Sequence, residues 1–316
     1  MGLYRSVQAV ASASGDGPID WNAVGEAAKG SVAPGSVDLS EAQREGYAGD
    51  VRDARDRVSD VAAVEFDLPG TVEVQDRHHW IDANVTTFER LMRPLEQQAK
   101  YTPGLARLAN TGSMAFALSF LGNNVLGQYD PLLLAEADEH ALYFVHPNIE
   151  RVANELDVER DRFRRWIAFH EVAHAAEFGT APWLSTHLEE TMERTIGALT
   201  DGRLDRDSLG ELDTTMTAVE GYAELVMDRA FDDEYDDLRA KLEARRSGRG
   251  PIAMLVRRLL GLGMKRRQYE RGKAFFDVVA DERGVAGASK VWEDPSHLPT
   301  DEELDHPRLW LGRVGE

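Results

Sequence analysis

Apolar residues recur at spacings of three and four along most of this chain of 316 residues. Such spacing places them on one face of an α-helix, so it predicts amphipathic helices that pack on one another. The best strand candidate is "ALYFV", Ala141 to Val145. The chain should therefore be mainly α, with at most a small β element. The predicted helices cover residues 39–63, 81–99, 103–122, 159–178, 187–199, 214–231 and 264–283.

Capping residues predict where two of these helices begin and end. Asp157 can cap the helix that runs towards residue 178, and Gly179 would stop it. Thr186 and Glu189 form a capping box at the start of the next helix.

Two breaks interrupt the helical pattern, a Pro- and Gly-containing stretch at 31–46 and a basic, glycine-rich stretch at 245–251. Neither is long enough to force a domain boundary. We therefore expect one structural unit, with residues 1–60 as a loosely attached N-terminal segment and residues 61–316 as the main domain.

Acidic residues outnumber basic ones by 56 to 36, which gives a formal net charge of -20. Nucleic acid and anionic membranes are poor partners for such a surface. Only six of the basic residues are lysines, a bias typical of proteins from a salt-adapted, haloarchaeal cytoplasm. An ordinary acidic cytosolic protein is the alternative. No apolar stretch resembles a secretion signal or spans a bilayer, so we expect a cytoplasmic protein.

The chain contains no cysteine, which excludes disulfides, thiolate metal sites and a cysteine nucleophile. Histidine, aspartate and glutamate remain as the strong metal ligands.

The stretch "FHEVAHAAEFG", Phe169 to Gly179, sets two histidines four residues apart. His170 and His174 then project from one helix face, with β carbons about 6 Å apart, close enough to chelate one ion. Neutral imidazole suits zinc, and a catalytic zinc ion needs a third protein ligand and an open position for water. Glu171 would lie beside that water and act as the general base.

Both histidines continue an otherwise apolar stripe that includes Phe163 and Ile167. A polar group on a buried face is costly unless it has a partner, and a metal ion would provide one. A pair of core histidines with satisfied hydrogen bonds is the alternative.

The stretch "TAVEGYAELVMD", Thr217 to Asp228, offers the third ligand. Glu220 shares a helix stripe with three apolar residues, Met216, Ala223 and Met227. Its carboxylate therefore stands where an apolar side chain is expected, and needs a cation. Glu224, four residues later, suits an outer role, accepting the second ring N–H of His170 or His174. The alternative is that both glutamates belong to a solvated acidic face.

H-E-x-x-H followed by a helical E-G-[YF]-A-E resembles the gluzincin branch of the zincin metallopeptidases, in which the later Glu is the third zinc ligand. Almost the whole chain also resembles a zinc-dependent metalloprotease family, zincin-like type 2, linked in some bacteria to coenzyme F420 biosynthesis. The matching stretches include "PIDWNAVGEAAKG", "DRHHWIDANVTTFERLMRPL", "NNVLGQYDPLLL", "LYFVHPNI", "FRRWIAFHEVAHAAEF", "AVEGYAELVMD" and "VWEDPSHLPT".

The resemblance implies a mainly helical, zincin-like fold, with one zinc ion held by His170, His174 and Glu220 and with Glu171 as base. The chain departs from the large zinc aminopeptidases, because Val219 stands where they have Asn and no substrate-amine motif accompanies the zinc helix. An aminopeptidase assignment is therefore not supported.

Peptide hydrolysis also needs a group that stabilises the developing oxyanion. Tyr269, flanked by basic residues, is our first choice, and a purely structural role for it stays open. The other candidates are Tyr222, His187, Arg266 and Arg267.

These observations predict a cytoplasmic zinc hydrolase that acts on peptide or protein substrates. The alternative is a zinc-binding accessory protein with weak or no turnover, attached to cofactor F420 biosynthesis.

Overall fold

The computed structural model describes residues 2–14, 17–98, 104–130, 141–200, 205–231, 237–238, 240–241 and 266–315. Most of this described chain is helical, as the apolar spacing predicts. The helices are α1 Gly2–Ala11, α2 Trp21–Ser31, α3 Glu41–Ala62, α4 Arg77–Gln98, α5 Gly104–Asn124, α6 His146–Leu156, α7 Arg160–Thr180, α8 Trp183–Thr200, α9 Arg206–Ala230, α10 Arg266–Ser289, α11 Asp301–Asp305 and α12 Pro307–Val314. The predicted break at 245–251 lies outside the described residues.

A small three-stranded sheet accompanies the helices, in the order β1-β3-β2. The strands are β1 Thr71–Gln75, β2 Gly127–Asp130 and β3 Ala141–Val145. β3 pairs with β1 in parallel and with β2 in antiparallel orientation. The predicted strand at 141–145 is therefore confirmed, whereas β1 and β2 were not predicted.

The beginning of α7 differs from the sequence prediction. Glu159, not Asp157, caps this helix, because its carboxylate accepts hydrogen bonds from the backbone N–H groups of Asp161 and Arg162. Asp157 instead ends α6 in a left-handed conformation, with φ of 52°. A short aspartate tolerates this conformation better than most residues, so it serves the preceding helix.

Two further predicted boundaries are wrong. Gly179 lies inside α7, which continues to Thr180, and a β carbon at this position would come within 3.1 Å of the Phe66 side chain. Gly179 therefore provides room for close packing and does not stop the helix. Thr186 lies inside α8, because that helix begins at Trp183, so the predicted capping box is absent.

Two clusters of buried side chains flank the sheet. The larger cluster contains Leu142 and Phe144 of β3 together with residues of α3, α7, α9 and α10. The smaller cluster contains Val145 of β3 together with residues of α2, α4 and α5. Because side chains alternate between the faces of a strand, β3 contributes to both clusters.

Helix α3 packs along α7 and belongs to the larger cluster. Arg164 donates to Asp50 at 2.6 Å, and the two side chains are only 11% and 13% exposed. Arg165 donates to Asp53 and lies over the ring of Phe169. Part of the segment 1–60 is therefore integrated in the main core, and the division predicted at residue 60 stays a prediction.

Helices α9 and α10 cross at two glycines. A β carbon on Gly221 would lie 2.4 Å from the carbonyl carbon of Gly272, and one on Gly272 would lie 2.2 Å from the carbonyl oxygen of Thr217. The backbones approach so closely that any side chain at either position would collide with main chain. The crossing fixes the position of α9 at Gly221, the residue that follows Glu220.

None of the described helices is both long enough and apolar enough to cross a membrane.

Candidate metal centre

The inner face of α7 carries the two motif histidines. Phe163 and Ile167 are buried on this face, which confirms the predicted apolar stripe. Trp166 stacks on His170, with ring centroids 5.7 Å apart and planes 12° from parallel. His170 and His174 meet edge to face, with centroids 4.7 Å apart. The stacking restricts how the first imidazole can turn.

Glu220 reaches the histidines from α9. One ligand atom from each of His170, His174 and Glu220 can be chosen so that all three lie within 4.8 Å of one another. A tetrahedral zinc ion with bonds of about 2.0–2.1 Å holds neighbouring ligand atoms about 3.3 Å apart. Two imidazoles and one carboxylate therefore form a donor set of the right chemistry, and small side-chain rotations would close it.

Glu171 lies beside the first histidine and points towards strand β2. Its Oε2 accepts a hydrogen bond of 2.7 Å from the backbone N–H of Tyr129. A β carbon on Gly127 would lie 2.6 Å from Oε1 of Glu171, so only glycine leaves room for this carboxylate. The main chain of β2 thus fixes one oxygen and accommodates the other.

Burial raises the pKa of Glu171 to about 7. The neighbouring His174 and the hydrogen bond from Tyr129 oppose this increase, and the charge of Glu220 adds to it. A carboxyl with a pKa near neutrality can both accept and release a proton at physiological pH.

The imidazole of His174 also contacts Glu177, which lies three residues later on the same helix. Nδ1 of His174 is 2.8 Å from Oε2 of Glu177, whose side chain is completely buried. Burial lowers the pKa of His174, but the charge and hydrogen bond of Glu177, together with the charges of Glu220 and Glu171, outweigh it and raise the pKa to about 10. Burial raises the pKa of Glu177 itself to about 7, against the opposing effect of His174.

Glu177 was not among the predicted site residues, and Glu224 was predicted for this role. At His174 the structure brings Glu177 to Nδ1, while Glu224 is buried on α9 one turn beyond Glu220. That Glu224 serves either histidine stays a prediction. The spacing of three residues after His174 was the signal available for Glu177, because residues at this spacing share a helix face.

The structure describes the side chains of two of the candidates for oxyanion stabilisation, Tyr222 and His187. Tyr222 is buried in the core and its hydroxyl lies 2.7 Å from Oγ of Ser289, so it serves packing at this contact. His187 is partly buried on α8, and its Nε2 lies 3.3 Å from Oγ1 of Thr215. Tyr269, Arg266 and Arg267 lie in the first turn of α10, and the structure describes their backbone but not their side chains.

A helix that presents H-E-x-x-H and a glutamate that converges on it from a second helix define a candidate metal centre of the zincin type. A profile of zincin-like metallopeptidases matches residues 19–206 and 198–311. The chain therefore belongs to the zincin-like metallopeptidase family, as its resemblance implied.

The comparison with solved structures gives a match along the whole chain. A protein from Chloroflexus aurantiacus, described as a "putative hydrolase with a novel fold", is 31% identical in sequence. The similarity covers 99% of this chain and 98% of that chain, with a TM-score of 0.76. The search of curated proteins found no match.

Proposed function

We propose that this protein is a zinc-dependent hydrolase that cleaves peptide bonds. One observation carries the proposal: ligand atoms of His170, His174 and Glu220 lie within 4.8 Å of one another, and the buried Glu171 follows the first of them on α7. Membership of the zincin-like metallopeptidase family supports peptides as the substrate class.

A zinc ion bound by these three residues would act as a Lewis acid and lower the pKa of a coordinated water towards neutrality. Glu171 would accept a proton from the water that attacks the peptide carbonyl, and would donate it to the amine nitrogen as the C–N bond breaks. The N–H of Tyr129 holds Oε2, so Oε1 is the oxygen to which we assign the proton transfer. Tyr269 stays our first candidate for oxyanion stabilisation.

The variant Glu171→Gln tests the catalytic part of this proposal. The amide keeps the shape and can still accept the Tyr129 hydrogen bond, but it cannot act as a base. We expect peptide hydrolysis to fall by about 10²- to 10⁴-fold. Zinc content and melting temperature should stay close to those of the wild type, and Glu193→Gln on the exposed face of α8 is the matched control.

Glu220→Ala tests the metal site separately, and zinc affinity measured by chelator competition should fall. Unchanged affinity, or wild-type protein that binds no zinc, would refute the site. Hydrolysis retained in Glu171→Gln would refute the base.

The alternative from sequence, a zinc-binding accessory protein associated with F420 biosynthesis, makes a different prediction. It requires the same zinc site but no general base. Screening a broad peptide library with zinc-loaded wild-type protein at high salt separates the two, because complete absence of zinc-dependent cleavage would favour the accessory role.

A further inference from the structure

We propose that Glu177 is a positioning residue that holds the imidazole of His174 so that Nε2, not Nδ1, faces the metal. The proposal rests on the proposed function, because it takes His174 as a metal ligand. Nothing in the H-E-x-x-H motif itself includes Glu177, which lies one turn further along α7.

The burial of Glu177 sets it apart from most acidic residues of this chain. Within the described ranges, four acidic side chains are buried, and they are Glu171, Glu177, Glu224 and Glu303. Glu303 is compensated by an arginine, Arg313, at 2.6 Å. The hydrogen bond of Glu177 goes instead to a metal-site histidine, at 2.8 Å. The buried carboxylate of Glu177 therefore lies where a bound cation would offset the free energy cost of burying its negative charge.

The hydrogen bond determines which ring nitrogen can bind an ion. An ionised carboxylate only accepts, so Nδ1 of His174 must carry the proton that it donates to Glu177. In the neutral imidazole that a metal ion requires, the lone pair is then on Nε2, at the opposite side of the ring. Rotating the ring by 180° would bring Nδ1 to the side of the metal position and would break its hydrogen bond with Glu177. Both groups lie on one rigid helix, so the orientation is set before any ion binds.

Replacing such a carboxylate costs about 10- to 100-fold in metal affinity in comparable sites. We expect Glu177→Ala to weaken zinc binding by this factor. Glu177→Gln should lie between Ala and the wild type, because its amide oxygen can accept the same hydrogen bond without the charge. Glu193→Ala, which removes an exposed carboxylate from α8, should leave affinity unchanged and controls for net charge.

The experiment measures zinc affinity by competition with a chromogenic chelator at fixed pH and salt, and folding of the zinc-free variants by circular dichroism. Long-range ¹H–¹⁵N spectra of the zinc-loaded proteins identify the bound nitrogen of His174. In the wild type, Nε2 should bind zinc and Nδ1 should be protonated. In Glu177→Ala, the ¹⁵N chemical shift of Nδ1 should change from its wild-type value, because the hydrogen bond to Glu177 is lost.

The possible results separate this inference from the proposed function. Wild-type protein that binds no zinc would overturn both. Normal zinc binding by the wild type, together with affinity changed less than about twofold in a folded Glu177→Ala, would overturn only the role of Glu177. Zinc bound through Nδ1 of His174 would also overturn it. If Glu177→Ala does not fold, the same affinity and nitrogen assignments are read on Glu177→Gln.

Discussion

The close crossing of α9 and α10 gives a prediction that does not depend on metal or substrate. Gly221 of α9 faces Gly272 of α10, and Gly221→Ala would place a methyl group 2.4, 2.6 and 2.7 Å from three backbone atoms of Gly272. Carbon atoms pack best at about 3.5–4.0 Å, so the two contacts with carbon atoms are too short by about 1 Å. Backbone atoms cannot rotate away, and the two helices must separate.

The magnitude follows from two opposing effects. Alanine is favoured over glycine in a helix by about 1 kcal/mol. Overpacking costs about 1–3 kcal/mol, and a rigid backbone neighbour places this site at the upper end. We therefore expect Gly221→Ala to lower the free energy of unfolding by about 2 kcal/mol.

Gly210, on the exposed face of the same helix, is the matched control because a β carbon there meets nothing within 4 Å. Gly210→Ala should raise the free energy of unfolding by about 0.5–1 kcal/mol. Urea unfolding, followed by tryptophan fluorescence and circular dichroism, measures both variants. If Gly221→Ala proved as stable as Gly210→Ala, the close crossing and the reasoning built on it would be wrong.

Two further predictions concern the proposed general base, Glu171, and the ion pair between Glu303 and Arg313. Gly127→Ala should displace the Glu171 carboxylate and lower kcat by up to about 100-fold while zinc content is retained. Gly49→Ala, where a β carbon meets nothing within 4 Å, is its control, and an unchanged kcat in folded Gly127→Ala would contradict the placement of the base. Arg313→Met should lower the free energy of unfolding by about 2 kcal/mol at pH 7, because it leaves the buried Glu303 carboxylate without its arginine. Burial alone would raise the pKa of Glu303, but hydrogen bonds from Arg313 and Thr300 outweigh it and lower the pKa below 4.5. The stability from this pair is therefore present above about pH 4.5 and lost as the pH falls, so the difference between variant and wild type should shrink in unfolding experiments at acidic pH. A difference that is independent of pH would contradict this assignment.

Sequence spacing predicts the long helices well, because a sustained apolar stripe reports the buried face directly. Phe163 and Ile167 of the predicted stripe are buried, and the two motif histidines that continue it are partly buried. Helix ends are less predictable, since Asp157 and Gly179 each have a structural role that differs from the predicted cap. The structure uses the first to end α6 and the second to accommodate Phe66.

The remaining parts of the site depend on contacts between distant residues. Strand β2, "GQYD", has no alternating pattern, and it forms because it pairs with β3 and contacts α7. Glu177 is one of 56 acidic residues, and composition cannot distinguish a buried carboxylate from a solvated one. Only the folded chain brings Tyr129 to Glu171, 42 positions later in the sequence.

Main-chain contacts align the groups of the candidate centre at two points, the approach of β2 to Glu171 and the crossing of α9 at Gly221. Such contacts require small residues but place little demand on the identity of surrounding side chains. Homologous proteins can then diverge widely in sequence while the site geometry persists, as long as glycine is retained at Gly127, Gly221 and Gly272. We expect these three positions to mark relatives with the same site as reliably as the metal ligands do.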